Sequence, residues 1–424
     1  MPKNPVPITG AGKHKIKRMK ILLVHNAYQQ PGGEDVVFQL ERDLLRSAGH
    51  TVLEYRRFND EIKDYSLVRR LTLVGRTVWA SDSFRDFTAL LHENKPDIVH
   101  VHNSFPLISP SIFWACRNEN VPVVQTLHNY RLLCPGGNFC RDGKPCEDCI
   151  TGHFWQGAVH ACYRDSRAET AAVALMLTVH RANKTWLKMV DCYIVLTEFS
   201  RSRYASAGFP QDKIRVKPNF VDPDPGKRTG TGSYALFAGR LDPEKGIPTL
   251  LKAWLQMPHS HTLRIAGDGS YRPQLEAFAK VYPNVQFLGW LPRQRLVEEM
   301  KGARFVVFPS EWYENLPLVV IEAFSCGVPV IASRLGAMEE LVEHGHTGLL
   351  FRPGDVNDLA RTMEVAWERP EYLERIGAQG RLEYEAKYTA AANYQQLIKI
   401  YEDVIANRAG TSEPVQEAVQ LPVA

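Results

Sequence analysis

The sequence predicts an α/β protein with two doubly wound, Rossmann-like domains that face each other across a cleft. The chain has 424 residues, too many for one ordinary core and suited to two domains of about 150 to 200 residues. Short apolar runs typical of buried strands alternate with segments of helical spacing. The alternation is interrupted at residues 216–232 by a stretch rich in Pro, Gly and Asp, which we interpret as a linker.

The first alternating series begins at Met19. The run KILLVHN is typical of a strand, the segment beginning GGEDVVF has helical spacing, and TVLEY again has the character of a strand. The runs DIVHVH, VPVVQTLH and CYIVLTE continue the pattern. Strands that are apolar on both faces and alternate with helices indicate a parallel sheet. We therefore predict a first Rossmann-like domain over residues 19–218.

The second series follows the linker and predicts another Rossmann-like domain over residues 219–387. Its strand-like runs are YALFAGR, HTLRIAGDG, NVQFLGW, RFVVFPS, VPVIAS and TGLLF. Ligands of such sheets bind beyond the carboxyl ends of the strands, so both sheets should direct their loops at the cleft. Residues 388–406 are predicted to form a helix that packs back on the first domain, because its apolar residues form one stripe. The stripe consists of Tyr394, Leu397, Ile398 and Tyr401.

The ends of the chain have a different character from its body. Residues 1–18 contain basic residues and no acid, which predicts a disordered arm or, alternatively, attraction to an anionic membrane surface. Residues 407–424 show no periodicity and are predicted to be disordered. The formal net charge of +4 is small for this length and argues against a nucleic-acid partner.

No apolar run is long enough to span a bilayer, and the arm lacks the apolar stretch of a signal peptide. The expected location is the cytoplasm, with the cytoplasmic face of the membrane as an extension of that expectation. Residues 166–190 place Arg181 and Lys184 beside Trp186 and Leu187. This segment is either a helix that covers the sheet or a surface that docks on a membrane, and liposome flotation would separate the two.

The stretch EWYENLPLVVIEAFSCGVPV contains two carboxylates eight positions apart, Glu314 and Glu322. The spacing predicts a helix between Asn315 and Cys326, with Asn315 as its cap and Pro317 in its first turn. A helix start binds anions, and a ribose diol offers two donors to a buried carboxylate. The pair is therefore predicted to bracket a nucleotide diphosphate and the group it carries. The alternative is a surface Glu314 and a Glu322 paired with an arginine.

Three loops are predicted to converge on the same cleft. GRLDPEKG follows the first strand of the second domain and contains Arg240 and Lys245, two cations able to neutralise a diphosphate. AGDGS places Gly267 and Asp268 in a further loop, without the third glycine of a dinucleotide fingerprint, so NAD binding is a weak inference. In the first domain, Gly33 lies directly before a helix in a turn compatible with phosphate.

The clustered cysteines leave two alternatives open. Cys134, Cys140, Cys146 and Cys149 lie among turn-forming residues, and Cys162 follows shortly after. The C-x-x-C end is compatible with zinc, but irregular spacing favours reduced thiols without metal. Metal analysis of the purified protein decides between them. The pair His100 and His102 lies at a strand end and is interpreted as core and cleft lining, not as a metal site.

Four motifs of the second domain, in their order and spacing, resemble the retaining GT-B glycosyltransferases of family 4, also called glycosyl transferases group 1. They are GRLDPEKG, IAGDG, FLGW and PSEWYENLPLVVIEAFSCGVPVIAS, and Glu314 and Glu322 form the E-x7-E signature. PGGEDVVFQLERDLLRSAGHTV, KPDIVHVHN and VPVVQTLHN resemble the amino-terminal half of that family. The resemblance extends over roughly residues 19 to 406.

The resemblance implies roles for individual residues. His128, Glu314, Arg240 and Lys245 would act at the reacting centre: the histidine and the carboxylate on the transferred sugar, the two cations on the diphosphate. Glu322 would hold the donor ribose. The remaining donor-binding positions implied are Gly33, Gly267, Asp268, Trp290, Leu291, Asn315, Leu316 and Pro317. Two positions depart from the family pattern, since Asn129 stands where many relatives have an acid and Asn315 replaces a glycine.

The resemblance implies transfer of a hexose-type sugar from a UDP- or GDP-sugar to a glycan or lipid-linked acceptor, with retention of anomeric configuration, in cell-surface polysaccharide synthesis. The first domain would bind the acceptor and the second the donor. The family generally needs no metal and no further cofactor. Alternatives are a sugar-nucleotide 2-epimerase, which should lack the E-x7-E and Arg/Lys arrangement, and a non-catalytic sugar-nucleotide binding protein.

Overall fold

The structure is a computed structural model that describes residues 18–29, 32–64 and 72–410. The predicted arm, apart from Arg18, and residues 411–424 of the predicted tail lie outside the described residues.

The first domain is built on a six-stranded parallel sheet with the order β2-β1-β3-β4-β7-β8. Its strands, with those of a small hairpin, are β1 (Lys20–Ala27), β2 (Thr51–Phe58), β3 (Ile98–Asn103), β4 (Val123–Thr126), β5 (Cys140–Arg141), β6 (Lys144–Pro145), β7 (Cys192–Val195) and β8 (Ile214–Val216). Its helices are Gly33–Ser47, Leu73–Val78, Ser81–Asn94, Ser111–Asn118, Asp148–Thr151, Trp155–Val159, Arg167–Ala182, Thr185–Lys188 and Glu198–Ser206, with 3-10 turns at Asn59–Asp64 and Gln211–Lys213.

The apolar runs form buried strands because both faces of the sheet are covered. In β1, Leu22 and Val24 pack into the cluster on one face, whereas Ile21 and Leu23 pack into the cluster on the other face. Successive side chains of a strand point to opposite faces, so a run without polar residues requires two covering layers.

The second domain repeats this design with the strand order β11-β10-β9-β12-β13-β14, again all parallel. Its strands are β9 (Tyr234–Ala238), β10 (Leu263–Ala266), β11 (Val285–Gly289), β12 (Ala303–Phe308), β13 (Val330–Ser333) and β14 (Gly348–Phe351). Its helices are Ile247–Trp254, Arg272–Val281, Arg293–Gly302, Leu318–Ser325, Met338–Leu341, Val356–Glu368 and Pro370–Lys387, with a 3-10 turn at Pro243–Lys245. The strand order reverses between β9 and β12, and in the first sheet between β1 and β3; ligands of such sheets bind at these points.

The last helix, Ala390–Gly410, returns to the first domain. Its Tyr394, Leu397 and Tyr401 are buried in the same cluster as Ile21 and Leu23 of β1. The helix runs to Gly410, four residues beyond the predicted end at 406, and residues 407–410 of the predicted disordered tail are therefore helical.

The predicted fold class is confirmed, since two Rossmann-like parallel sheets are present. The strand β8 and the hairpin β5–β6 were not predicted, because three-residue and two-residue strands are too short to show a pattern. None of the helices formed by residues 18–29, 32–64 and 72–410 combines the length and the apolarity that crossing a bilayer requires. In the segment considered for membrane docking, Leu177 and Trp186 are buried in the core and Leu187 is 37% exposed.

Candidate active site

The loops after β9 and β12 meet at the switch point of the second sheet. The backbone N–H of Glu311 donates to the carbonyl of Glu244 at 2.9 Å. Gly246 has a φ of 73°, and a Cβ placed on it would lie 1.8 Å from the carbonyl oxygen of Pro309. Only glycine combines this left-handed conformation with so close a backbone approach. The glycine that ends GRLDPEKG therefore fixes the two loops against each other.

Lys245 and Glu314 form a partly buried ion pair where these loops meet. Lys245 Nζ lies 2.6 Å from Glu314 Oε1, and Ser310 Oγ donates to the same oxygen at 2.7 Å. The indole N–H of Trp312 donates to it as well. Burial raises the pKa of Glu314, but Lys245 and these hydrogen bonds outweigh burial and lower it below its usual value. Glu314 is thus ionised, and all three donors contact Oε1.

Arg240 lies at the outer edge of this group. Its side chain is 58% exposed, and Nη1 is 3.0 Å from Asp242 Oδ2. The centroid of the Trp312 ring lies 5.8 Å from Arg240 Cζ and 4.8 Å from Lys245 Nζ. The indole therefore lies within the range of cation–π attraction to both Lys245 and Arg240. Sequence reasoning missed Trp312, although it lies two residues before Glu314 in the loop between strand and helix.

The predicted helix start at Asn315 was wrong. The helix runs over Leu318–Ser325, and Pro317 before it has extended backbone, with φ −72° and ψ 121°. Asn315 does not cap this helix: its Nδ2 donates to the carbonyl of Leu127 at 2.8 Å, and its Oδ1 accepts from Ser200 Oγ at 2.5 Å. The amide instead joins the two domains.

Glu322 consequently lies about one turn inside the helix, not two. Its Oε1 is 3.5 Å from Arg293 Nε. Burial raises the pKa of Glu322, and the arginine offsets part of that effect. The structure thus bears out the predicted alternative of an arginine partner for Glu322, but not the surface position that this alternative gave to Glu314, which is buried. The ribose contact stays a prediction.

The glycines of the third loop have a structural explanation. Gly267 has a φ of 143°, and a Cβ on it would lie 1.8 Å from the carbonyl oxygen of Gly239. Its N–H donates to the carbonyl of Gly289 at 2.8 Å, so the loop after β10 packs backbone against backbone with the loop after β9 and with the end of β11. Asp268 Oδ2 pairs with Arg272 at 3.3 Å. Trp290, after β11, is 71% exposed, and Leu291 beside it is half-buried.

Gly33 begins the first-domain helix that faces the second domain. A Cβ on Gly33 would lie 3.8 Å from Leu318 Cδ1, and Leu318 begins the helix on the opposite side of the cleft. The two helix starts therefore oppose each other. The N–H of Gly32 donates to Asp35 Oδ2 at 2.8 Å, and Asp35 Oδ1 lies 2.9 Å from His25 Nε2, which fixes this start.

His128 follows β4 and lines a cavity on the first-domain side of the cleft, together with His102 and Asn129. His128 Nε2 lies 3.0 Å from His102 Nδ1. Burial, aided by His25, lowers the pKa of His128 well below its usual value, so the imidazole is neutral.

Glu34 also lies on the first-domain side of the cleft, and sequence reasoning missed it. Its Oε2 accepts from the Tyr28 hydroxyl at 3.3 Å and from Asn129 Nδ2 at 3.4 Å, and its Oε1 is buried without a partner among the described residues. Burial, together with neighbouring Asp35, raises the pKa of Glu34 to about 8. The carboxyl is therefore protonated at neutral pH. In the sequence it was indistinguishable from an ordinary acid in a first helical turn.

Five cysteines line one pocket beside the small hairpin: Cys134, Cys140, Cys146, Cys149 and Cys162. Burial raises the pKa of Cys140 to about 11 and that of Cys149 to about 12, which favours the protonated thiol. In the part of the chain that the structure describes, no three of these sulfur atoms lie within 4.8 Å of one another. Whether the cluster holds zinc stays a matter for metal analysis.

Solved structures share this architecture. Anabaena HepE, crystallised in complex with UDP and glucose, superposes with a TM-score of 0.65 at 19% identity, covering 91% of this chain and all of that chain. Sucrose-phosphate synthase from Thermosynechococcus elongatus gives a TM-score of 0.69 at 22% identity, covering 92% of this chain and all of that chain. Two Rossmann-like domains with opposed loops define the class of protein as GT-B.

Two family models match adjoining parts of the chain. The model Glycosyltransferase Family 4 matches residues 31–225, and the model Glycosyl transferases group 1 matches residues 222–383. The chain therefore belongs to the group 1 glycosyltransferase family.

Curated relatives agree with this membership. Sulfoquinovosyl transferase SQD2 of Arabidopsis thaliana is 28% identical over 296 residues, which are 69% of this chain and 54% of that protein. An uncharacterized glycosyltransferase of Methanocaldococcus jannaschii is 25% identical over 386 residues, which are 85% of this chain and 89% of that protein.

Proposed function

We propose that this protein transfers a hexose-type sugar from a nucleotide-diphosphate sugar to a glycan or lipid-linked acceptor, with retention of anomeric configuration. The observation that carries the proposal is the Lys245–Glu314 pair, which lies partly buried at the switch point of the second sheet and close to the start of the Leu318 helix. A cation beside a helix start suits a diphosphate, and a carboxylate beside both suits the hydroxyl groups of the attached sugar.

The charges match the demands of the reaction. Breaking a glycosyl-phosphate bond leaves negative charge on the diphosphate and builds positive charge on the anomeric carbon. Arg240, Lys245 and the helix start would stabilise the leaving diphosphate through donors that are already in place. The ionised Glu314 would hold a hydroxyl of the transferred sugar. In a front-face reaction the departing phosphate accepts the proton of the acceptor hydroxyl, so no second carboxylate is needed as a base.

The donor is proposed to be a UDP- or GDP-sugar. HepE, of the same fold, binds UDP and UDP-glucose according to its crystal structures, which supports a uridine nucleotide. Trp290 and Leu291 lie after β11, where they would contact the base. The proposed role is cell-surface polysaccharide synthesis in the cytoplasm, at the inner face of the membrane where a lipid-linked acceptor would be presented. No cofactor is proposed, because Arg240 and Lys245 supply the positive charge at the diphosphate.

A donor screen tests the proposal. UDP-, GDP- and ADP-sugars are compared by thermal shift, and the donors that stabilise the protein are then incubated with glycan and lipid-linked acceptors. We expect one nucleotide class to raise the melting temperature and one acceptor to yield a product, whose anomeric configuration NMR assigns. An inverted product would contradict the retaining reaction, and stabilisation without turnover of any acceptor or water would support a non-catalytic binding protein.

A further inference from the structure

A continuous row of buried polar side chains runs beneath the cleft from Lys217 to His128. Lys217 Nζ lies 2.6 Å from Glu41 Oε1, and both side chains are fully buried. Glu41 Oε2 lies 3.5 Å from His102 Nε2. His102 Nδ1 lies 3.0 Å from His128 Nε2. We call these four residues the Lys217–His128 row.

The row joins distant parts of the first domain. Glu41 lies on the helix Gly33–Ser47, His102 on β3, His128 after β4 and Lys217 after β8. Asn393 of the last helix accepts a further hydrogen bond from Lys217 Nζ at 3.3 Å. Lys217 and Glu41 thus form a net-neutral pair held from several sides, which is the condition for keeping two charges away from water.

The same region offers three atoms in range of one cation, from Glu41, His100 and His102. Both ring nitrogens of His100 already have partners, the Tyr401 hydroxyl at 2.7 Å and Thr126 Oγ1 at 2.7 Å. The ammonium group of Lys217 on Glu41 would also repel a cation. A row of polar contacts accounts for this arrangement better than a metal site does.

The contacts determine where the protons lie. Glu41 Oε2 and His102 Nε2 lie 3.5 Å apart, are both buried, and have no hydrogen-bond partner among the described residues. If His102 carried its proton on Nδ1, the Nε2 lone pair would face a carboxylate oxygen, and two buried acceptors would oppose each other. A proton on His102 Nε2 points at Glu41 instead. His102 Nδ1 is then an acceptor, so His128 must donate to it from Nε2.

We propose that Glu41 and Lys217 are positioning residues that fix His128 in the Nε2–H tautomer, so that its Nδ1 lone pair is available to the cleft. A neutral His128 in this tautomer accepts a hydrogen bond from a hydroxyl and cannot donate one from Nδ1. Its ligand is a hydroxyl group of the transferred sugar; this last step rests on the proposed function, whereas the tautomer does not.

The tautomer is measured directly in the full chain labelled with 15N-histidine. Two-bond proton–nitrogen correlation spectra distinguish Nδ1–H from Nε2–H, and His128→Asn and His102→Asn variants assign the signals. We expect Nε2–H for both rings in the unmodified protein. An Nδ1–H tautomer at His128 would overturn the proposal, and this measurement on the unmodified protein needs no variant to fold.

Removing the ion pair tests its role. The double variant Glu41→Leu with Lys217→Met removes both charges together, so neither is left unpaired, and we expect His128 to become a mixture of tautomers. Tyr401→Phe is the matched control, since it removes a buried hydroxyl bonded to His100 and leaves the row intact. An unchanged His128 spectrum in a folded double variant would contradict the inference.

Activity separates this inference from the proposed function. With an accepted donor, we expect the double variant to lower kcat roughly tenfold, the effect of one hydrogen bond to the reacting sugar, while UDP affinity measured by calorimetry stays within about twofold. Loss of UDP affinity together with kcat would indicate a general structural defect and count against a positioning role. If the unmodified protein turns over no donor, the proposed function fails and the tautomer result still stands.

Discussion

The two sides of the cleft share one sheet architecture but differ in electrostatic character. The second-domain side presents charges, the ionised Glu314 with Lys245 and the exposed Arg240. The first-domain side presents neutral groups, His128 and the protonated Glu34. Charged groups suit the diphosphate, whose negative charge grows during bond cleavage, whereas neutral donors and acceptors suit a sugar, whose hydroxyl groups carry no net charge. Under the proposed function, the cations of the second-domain side would bind the diphosphate, whereas the sugar hydroxyls would contact both Glu314 and the neutral His128 of the first-domain side.

Glu314 and Glu34 show how this difference arises. Both carboxyls are removed from water, which by itself raises a carboxyl pKa. Glu314 has an ammonium group 2.6 Å away and stays ionised. Glu34 has a hydroxyl and an amide as partners and keeps its proton. The partner, more than burial, decides the charge state.

The largest effect is expected from Lys245→Ala. It removes a diphosphate cation and leaves Glu314 buried without its ion-pair partner, so kcat/KM should fall on the order of a thousandfold. The measurement is turnover of the accepted donor, with the melting temperature as a check on folding. Arg352→Ala is a suitable control, because that arginine is 72% exposed and pairs at the surface of the same domain. Unchanged turnover in Lys245→Ala would contradict the proposed role of Lys245 in binding the diphosphate.

Acid should destabilise the first domain, because its buried histidines are neutral in the folded state. Burial lowers the pKa of His100 to about 4, whereas the unfolded chain has the ordinary value of 6.5. Between pH 6.5 and 4 the unfolded chain therefore binds more protons at this histidine, and the free energy of unfolding falls as pH falls. The contribution is about 3 kcal/mol for this one group. Buried His102 and His128 act in the same direction.

Urea unfolding at pH 7 and at pH 4.5 measures this loss. His100→Gln should reduce the difference in unfolding free energy between the two pH values, and His153→Gln, at an exposed position, should leave it unchanged. An equal pH dependence in all three proteins would show that the buried histidine does not stay neutral.

A smaller catalytic effect is expected from Arg240→Ala. The guanidinium would contact the diphosphate but is 58% exposed, so water and Lys245 compensate in part. We expect kcat/KM to fall on the order of a hundredfold, and Arg240→Lys should retain only part of the lost activity because a lysine side chain lacks the forked geometry. A loss equal to that of Lys245→Ala would indicate that the two cations act as a single unit.

The sequence predicted the two sheets and the loops of the charged side, because apolar runs and loop cations are local features. It did not predict that the helix begins at Leu318, since Asn315 bonds to Leu127 and Ser200 of the other domain instead of capping the helix. Nor did it predict the row that includes Glu41 and Lys217, which are 176 positions apart. These contacts join residues that are far apart in the sequence and form only in the folded protein, so no local sequence pattern predicts them.

The smallest effect at neutral pH, and the sharpest test of the comparison, is expected from Glu34→Gln. A protonated carboxyl and an amide can make the same hydrogen bonds, so at pH 7 the variant should keep turnover within about threefold, whereas Glu314→Gln removes an ionised group and should cost on the order of a hundredfold. Because the folded pKa of Glu34 is about 8, raising the pH through 8 ionises it in the unmodified protein. Turnover should then decline in the unmodified protein relative to Glu34→Gln, which has no proton to lose. Stability should decline earlier, between pH 4.5 and 8, because over that range the folded protein holds this proton and the unfolded chain does not; the loss should be complete above pH 8. Parallel pH profiles for the two proteins, or equal losses from the two glutamine substitutions at pH 7, would mean that both sides of the cleft are charged.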